Sequence, residues 1–258
     1  QNYLGNALPV QAERAEGKAR LTLLAEAVTA YRAALEVRTR DAMPVDWAMT
    51  QNNLGNALSV QAERAEGKAR LTLLAEAVTA YRAALEVRTR DALPVQWAMT
   101  QNNLGNALND QGIRAEGEAS LTLLAEAVTA YRTALEVRTR DAMPVGWAMT
   151  QNNLGAALQE QGSRAEAEPG LTLLAEAVTA YRAALEVRTR NTMPVQWAET
   201  NKNLAIAFEA MADPEPGRAA AHLKQALTHV DLALEVFDPE HMSFEYQSAT
   251  RVRERIQE

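Results

Sequence analysis

A period of fifty residues runs through most of the chain and argues against a single compact core. Residues 1–50 and 51–100 differ at only four positions, and residues 101–200 continue the pattern with more changes. Each repeat of this length exposes an apolar face that only a neighbouring repeat can cover, so the repeats stack into an extended array. A length of 258 residues allows five units and a remainder. The motif LTLLAEAVTAYR starts at Leu21, Leu71, Leu121 and Leu171.

Each unit is predicted to contain two helices. The first covers residues 44–64, because Pro44 suits the first position of a helix and apolar residues then recur at helical spacing. The second covers residues 71–89, and a polar loop with Gly67 joins the two. Arg82 and Glu86 on the second helix are separated by one helical turn, so we expect them to form a weak ion pair.

The second unit contains Gln51-x2-Leu54-Gly55-x2-Leu58, then Ala77-x3-Tyr81-x2-Ala84, then Pro94. This spacing resembles the tetratricopeptide repeat (TPR) pattern, which is W-x2-L-G-x2-Y, then A-x3-F, then P. Gly55, Ala77 and Ala84 are small where two helices of such a repeat cross, so we expect the two backbones to meet at Gly55.

Two departures from the TPR pattern are visible. Gln51 stands where the pattern has tryptophan, and the unit is longer than the usual TPR unit of about 34 residues. The NNLG and ALEVRTR phrases are similar to long-repeat TPRs of the kinesin light chain type. They resemble even more the bacterial TPR arrays that accompany CHAT protease domains. The sequence given has no Cys to act as the nucleophile of such a protease.

The resemblance implies an all-α fold, a right-handed superhelical solenoid of antiparallel helix pairs. No sustained alternation of apolar and polar residues occurs, so we predict no strands. We expect one TPR-like solenoid over residues 1–258. Its repeats are predicted at about 1–43, 44–93, 94–143, 144–193 and 194–238.

Residues 239–258 are predicted to form a C-terminal capping helix, because a terminal repeat needs a polar outer face. Phe244, Ala249, Val252 and Ile256 give this helix one apolar side. At the other end, Gln1 corresponds to the middle of a first helix, so we expect the chain to be part of a longer protein.

Composition excludes several classes of protein. Aromatic residues make up only 5% of a chain that is 47% hydrophobic, so the core must be built from Ala, Leu and Val. The absence of Cys excludes disulfides and thiolate metal sites. A net charge of −7 argues against nucleic-acid binding, and no apolar run is long enough to span a membrane. No signal peptide is visible, so we expect a cytoplasmic protein.

Nothing in the sequence indicates catalysis. The three histidines, His222, His229 and His241, accompany no ordered set of carboxylates or hydroxyls. Motifs for zinc proteases, nucleotide-binding loops and serine hydrolases are absent. We predict that the chain is not an enzyme and that it needs neither a cofactor nor a metal.

Repeated asparagines are the candidate binding residues. The first helices of TPR units line a concave groove, so the resemblance places Asn52 and Asn56 in that groove. An asparagine side chain offers both a donor and an acceptor, which suits the backbone of an extended peptide. The alternative is that these asparagines bond between neighbouring repeats and only stabilise the stack. The predicted groove asparagines are Asn52, Asn56, Asn102, Asn106 and Asn152.

The charge of the chain is graded along its length. It is 0 and +1 for residues 1–50 and 51–100, −2 for each of the next two units, and −4 for residues 201–258. Either these are neutral changes at exposed positions, or Asp110, Glu160 and Glu209 attract the basic part of a ligand. Lys202 occupies the Asn52 position of the last unit and is a weaker candidate for binding a carboxylate.

Two functions follow from these patterns. The first is a protein-interaction scaffold whose groove binds a peptide or partner protein, as part of a larger regulatory or signalling protein. The alternative is a structural module that forms a homo-oligomer through the uncapped N-terminal repeat, residues 2–8.

Overall fold

The computed structural model describes residues 17–165 and 167–258, and these are all-helical. They form ten α-helices and no strand, and the helices pack in adjacent pairs as in a helical solenoid. The helices are α1 (Gly17–Val37), α2 (Pro44–Arg64), α3 (Gly67–Leu85), α4 (Pro94–Arg114), α5 (Gly117–Leu135), α6 (Pro144–Arg164), α7 (Ala167–Leu185), α8 (Pro194–Ala212), α9 (Ala219–Leu234) and α10 (Ser243–Gln257).

The chain divides into two compact units, residues 1–137 and 138–258. Helices α1 to α5 belong to the first and α6 to α10 to the second. Within each unit every helix packs on the next one along the chain. We call α2, α4, α6 and α8 the A helices and α1, α3, α5, α7 and α9 the B helices. The single solenoid over residues 1–258, its repeat boundaries and its right-handed superhelix stay predictions, and residues 2–8 lie outside the described residues.

The predicted start of the A helix is confirmed, whereas the predicted B helix is displaced. Four A helices begin at prolines, and α2 ends at Arg64 as expected. Helix α3 begins at Gly67 instead of residue 71, because Gly67 has a φ of +53° that lets the chain turn directly into the helix. It ends at Leu85, where Glu86 and Val87 donate to carbonyls three residues back and tighten the last turn.

A glycine–tyrosine contact joins the two helices of a repeat. A Cβ atom on Gly55 would lie 2.6 Å from Cε1 of Tyr81. The expectation that two backbones meet at Gly55 is therefore wrong, because an aromatic ring fills the space. Ala77 and Ala84, about one turn before and after Tyr81 on α3, are fully buried.

Helix α10 packs on α9 and α8. Ala249, Val252 and Ile256 are buried along one side of it. Phe244 was expected on that side, but it is 73% exposed because it lies in the first turn, beyond the edge of the contact.

Candidate functional site

Two neighbouring A helices of the first unit form a continuous polar face. On α4, Met99, Asn103, Asn106 and Asp110 follow one another at helical spacing, and Met99 is 37% exposed. Nδ2 of Asn103 donates to Oδ1 of Asn56 on α2 at 3.1 Å, which joins the two helices. We call this surface the amide face. It consists of Met49, Asn53, Asn56, Val60, Met99, Asn103, Asn106 and Asp110.

Buried tyrosines hold two asparagines of the amide face in place. The hydroxyl of Tyr81 donates to Oδ1 of Asn56 at 2.9 Å, and that of Tyr131 donates to Oδ1 of Asn106 at 2.8 Å. Asn56 and Asn106 are both exposed. Burial raises the pKa of Tyr81 to about 12, so its hydroxyl remains a protonated donor at neutral pH. Hydrogen bonds from buried tyrosines therefore hold Asn56 and Asn106 in place while their side chains remain exposed to solvent.

Other predicted asparagines lie inside the stack. Asn52 and Asn102 are only 2% and 1% exposed. Oδ1 of Asn52 accepts a hydrogen bond from Oγ1 of Thr100, on the next A helix, at 3.1 Å. In the second unit, Oδ1 of Asn152 accepts from Thr200 at 3.0 Å. In this structure the amide oxygens of Asn52 and Asn152 are occupied by bonds between repeats.

A buried arginine completes each of these connections, and sequence reasoning missed it. Nη1 of Arg88 donates to Oγ1 of Thr100 at 2.9 Å, and Arg188 makes the same bond to Thr200 at 3.1 Å. Arg88 is 5% exposed, and burial lowers its pKa. It follows the carboxyl end of α3, where the helix dipole favours a cation. The ALEVRTR phrase recurs unchanged in four repeats, but it contains both the buried Arg88 and the exposed Arg90, so the sequence alone did not distinguish the two.

The predicted acidic residues each have an arginine of the same unit as partner. Asp110 pairs with Arg114 at 3.1 Å, and Glu160 pairs with Arg164 at 3.4 Å. Glu209 accepts two hydrogen bonds from Arg255 of α10. A basic ligand would have to compete with these arginines.

Lys202 lies in the second unit and reaches the terminal helix. Its Nζ atom donates to Oγ of Ser248 on α10 at 3.4 Å. The Lys202 side chain is therefore next to the predicted cap, and the binding role of all the predicted site residues stays a prediction.

Ion pairs on the B helices join neighbouring repeats and do not join successive turns of one helix. The predicted pair of Arg82 with Glu86 is wrong: Arg82 pairs with Glu126 of α5, and Glu86 pairs with Arg40. Both partners remain about half exposed in each pair, so each pair contributes little to stability. The pattern repeats in the second unit, where Arg190 pairs with Glu235.

Two of the histidines surround a phenylalanine in the second unit. The ring of Phe208 stacks on His229 with centroids 5.7 Å apart and on His222 with centroids 6.3 Å apart. Nδ1 of His229 lies 2.8 Å from Oδ1 of the buried Asn201. Within residues 17–165 and 167–258 no three side chains of His, Asp or Glu come together as metal ligands do.

Acid is expected to destabilise the second unit through His229. Burial, and secondarily Arg182, hold the pKa of His229 below its ordinary value of 6.5, so the folded state favours the neutral ring. The unfolded chain then binds this proton more readily. The free energy of unfolding therefore decreases as pH falls from 6.5 through the pKa that His229 has in the folded state. The contribution of His229 is constant above about pH 7.5.

Urea unfolding at pH 7.5 and pH 5.5 measures this loss. His229→Gln keeps an amide donor for Asn201 and should lose less stability between the two pH values than the wild type. His241→Ala is the control, because the side chain of His241 is 79% exposed. An equal acid-induced loss in wild type and His229→Gln would contradict the assignment.

The comparisons with known proteins agree with this architecture. A family model described as tetratricopeptide repeat matches residues 147–169, which lie in α6 and the start of α7. No curated protein matches the chain. The family match and the repeated helix pairs support a TPR array, a class that generally mediates protein interactions and is typically non-catalytic. The closer kinship to kinesin light chains and CHAT-associated arrays stays a prediction. None of the described helices has the length and apolarity to cross a membrane.

Proposed function

We propose that the chain is a non-catalytic protein-interaction module and that the amide face of its first unit binds a peptide or partner protein. The observation that supports this most is the pair of exposed asparagines, Asn56 and Asn106, anchored by buried tyrosine hydroxyls. Binding groups that are already ordered lose little conformational entropy when a ligand arrives. The same arrangement at two successive repeats suits an extended chain that crosses both helices.

The hydrogen bonds at Asn56 define the chemistry of the ligand. Its Oδ1 atom already accepts from Tyr81 and Asn103, so Nδ2 is the group offered to a ligand. An N–H donor is matched by a peptide carbonyl or a carboxylate. Met99 lies one and two helical turns from Asn103 and Asn106, and its flexible thioether adapts to apolar side chains of different shapes. The ligand is thus a polypeptide with an apolar residue beside the bonded backbone.

Charged residues set the orientation of the ligand. Asp110, at the carboxyl-terminal end of the amide face, attracts a basic group, which displaces Arg114 from an ion pair whose side chains are 31% and 38% exposed. In the second unit, Asn152, Glu160 and Lys202 are candidate contacts for polar and charged groups of a partner. We further propose that the protein acts in the cytoplasm, as part of a larger regulatory or signalling protein.

Replacing Asn56 and Asn106 together by Ala is expected to weaken peptide binding by about five- to a hundredfold, since each of the two lost hydrogen bonds contributes about 0.5–1.5 kcal/mol. The peptide is first selected from a displayed random library on the wild-type chain. Its dissociation constant is then measured by fluorescence anisotropy with the wild type and the variant.

The control is Asp41→Asn with Asp91→Asn, in the loops before α2 and α4. Both aspartates are exposed and belong neither to the amide face nor to a pocket lining, so this variant should bind like the wild type. A selected peptide whose affinity does not change in the Asn56→Ala, Asn106→Ala variant would place the binding surface elsewhere.

A further inference from the structure

Two equivalent furrows lie along the B helices of the first unit, on a surface separate from the amide face. The first has a volume of about 470 Å³, with Arg32 of α1 at one side, Leu58 of α2 at its floor and Ala80 of α3 in its wall. The second has a volume of about 540 Å³ and is lined by the same residues one repeat later, Arg82, Leu108 and Ala130. Their walls carry mainly Ala and Thr, so both furrows are apolar and open.

The last repeat carries larger side chains at the corresponding positions. Phe208 stands at the position that Leu58 and Leu108 hold in the earlier repeats. His229, in the shorter last unit, stands at the position of Ala80 and Ala130. Their rings stack with an interplanar angle of 8°, and Phe208 is only 6% exposed. The guanidinium of Arg182, which is the counterpart of Arg32 and Arg82, lies over the Phe208 ring at 5.7 Å from its centroid. The chain itself thus shows aromatic rings packed under this arginine.

We propose that each furrow of the first unit binds an aromatic side chain of a protein partner, in the place that Phe208 and His229 fill in the last repeat. Leu58 and Ala80 leave the volume that those rings occupy, and Arg32 stands where Arg182 covers the ring. A cation above an aromatic face is attracted by the ring, and burial of the ring adds the hydrophobic contribution. The furrows are separate from the amide face, and this proposal does not depend on peptide binding at the amide face.

The arginine of each open furrow is available to cover such a ring. Arg32 pairs with Glu76, and Arg82 pairs with Glu126. The side chains of Arg32 and Arg82 are 57% and 56% exposed, so these pairs hold them only weakly. In the last repeat Gln225 stands at the glutamate position, and there the arginine lies on the ring.

The test uses the full chain and a small aromatic probe, N-acetyl-4-fluorophenylalanine amide, with N-acetyl-leucine amide as the aliphatic comparison. Backbone amide resonances report which site each probe reaches. We expect the aromatic probe to shift the amides of Ala75 and Thr79 in the first furrow and of Ala125 and Thr129 in the second. The leucine probe should bind several times more weakly at both.

Filling one furrow gives a matched internal control. Leu58→Phe with Ala80→His installs the residues of the last repeat in the first furrow, so shifts at Ala75 and Thr79 should disappear while those at Ala125 and Thr129 remain. Arg32→Ala with Arg82→Ala leaves the cores untouched and should weaken probe binding about two- to fivefold at both sites. This second variant decides the question if the filled variant loses helical structure by circular dichroism.

Three outcomes would overturn the proposal: equal binding of the leucine probe, shifts confined to the amide face, or no effect of the arginine substitutions. Asn56→Ala with Asn106→Ala should leave probe binding at the furrows unchanged. Separate measurements therefore test the proposal for the amide face and the proposal for the furrows.

Discussion

Substitution of Thr100 by Val is expected to lower the free energy of unfolding by about 2–4 kcal/mol, because it leaves two buried polar groups without their partner. Valine keeps the shape of threonine but removes the hydroxyl. Nη1 of Arg88 then loses its acceptor and Oδ1 of Asn52 loses its donor, and the two residues are 5% and 2% exposed. Urea unfolding followed by circular dichroism measures the change.

The size of the loss in a second variant, alone and combined with the first, separates this explanation from a simple loss of packing. Arg88→Met removes the buried charge itself, and the single hydroxyl proton of Thr100 can still be donated to Asn52 or to the carbonyl of Gln96. We expect a loss of only about 1 kcal/mol, since an apolar residue can replace a buried charge at little cost. Thr100→Val should therefore be less damaging in the Arg88→Met chain than alone. Thr129→Val on an exposed surface is the control, and additive losses would argue against the network.

The architecture was predictable because its determinants are local and repeated. Pro44 fixes the start of an A helix by its own backbone geometry, and the spacing of Leu54 and Leu58 marks the apolar side of that helix. The loop between A and B helices was less predictable, because the turn depends on the positive φ of Gly67.

The assignment of the asparagines could not be reached from spacing alone. Asn52 and Asn56 are one helical turn apart and point in nearly the same direction, yet the first is buried and the second exposed. Which of them a neighbouring helix covers depends on where the two helices cross. The same holds for Arg82, whose distance to Glu126 depends on how α3 and α5 each pack on α4.

Replacing Gly105 by Ala is expected to destabilise the first unit by a net amount of about 1–2 kcal/mol, although alanine is the better helix former. The added Cβ atom would lie 2.7 Å from Cε1 of Tyr131, whose ring is buried and whose hydroxyl is bonded to Asn106. Overpacking of this kind costs about 1–3 kcal/mol, and it outweighs the gain of up to about 1 kcal/mol in helix propensity. Thermal and urea unfolding report the loss.

The last repeat predicts how this loss is reversed. Ala205 stands at the glycine position there, and Val230 stands where the other repeats have tyrosine. In a Tyr131→Val chain, itself destabilised by about 3 kcal/mol through the lost ring, Gly105→Ala should become neutral or stabilising by up to about 1 kcal/mol. Gly146→Ala is the matched control, because its Cβ would meet nothing closer than 3.7 Å. If alanine at position 105 were equally harmful in both chains, a contact other than the tyrosine ring would have to exclude it, and the exchange seen in the last repeat would lose its explanation.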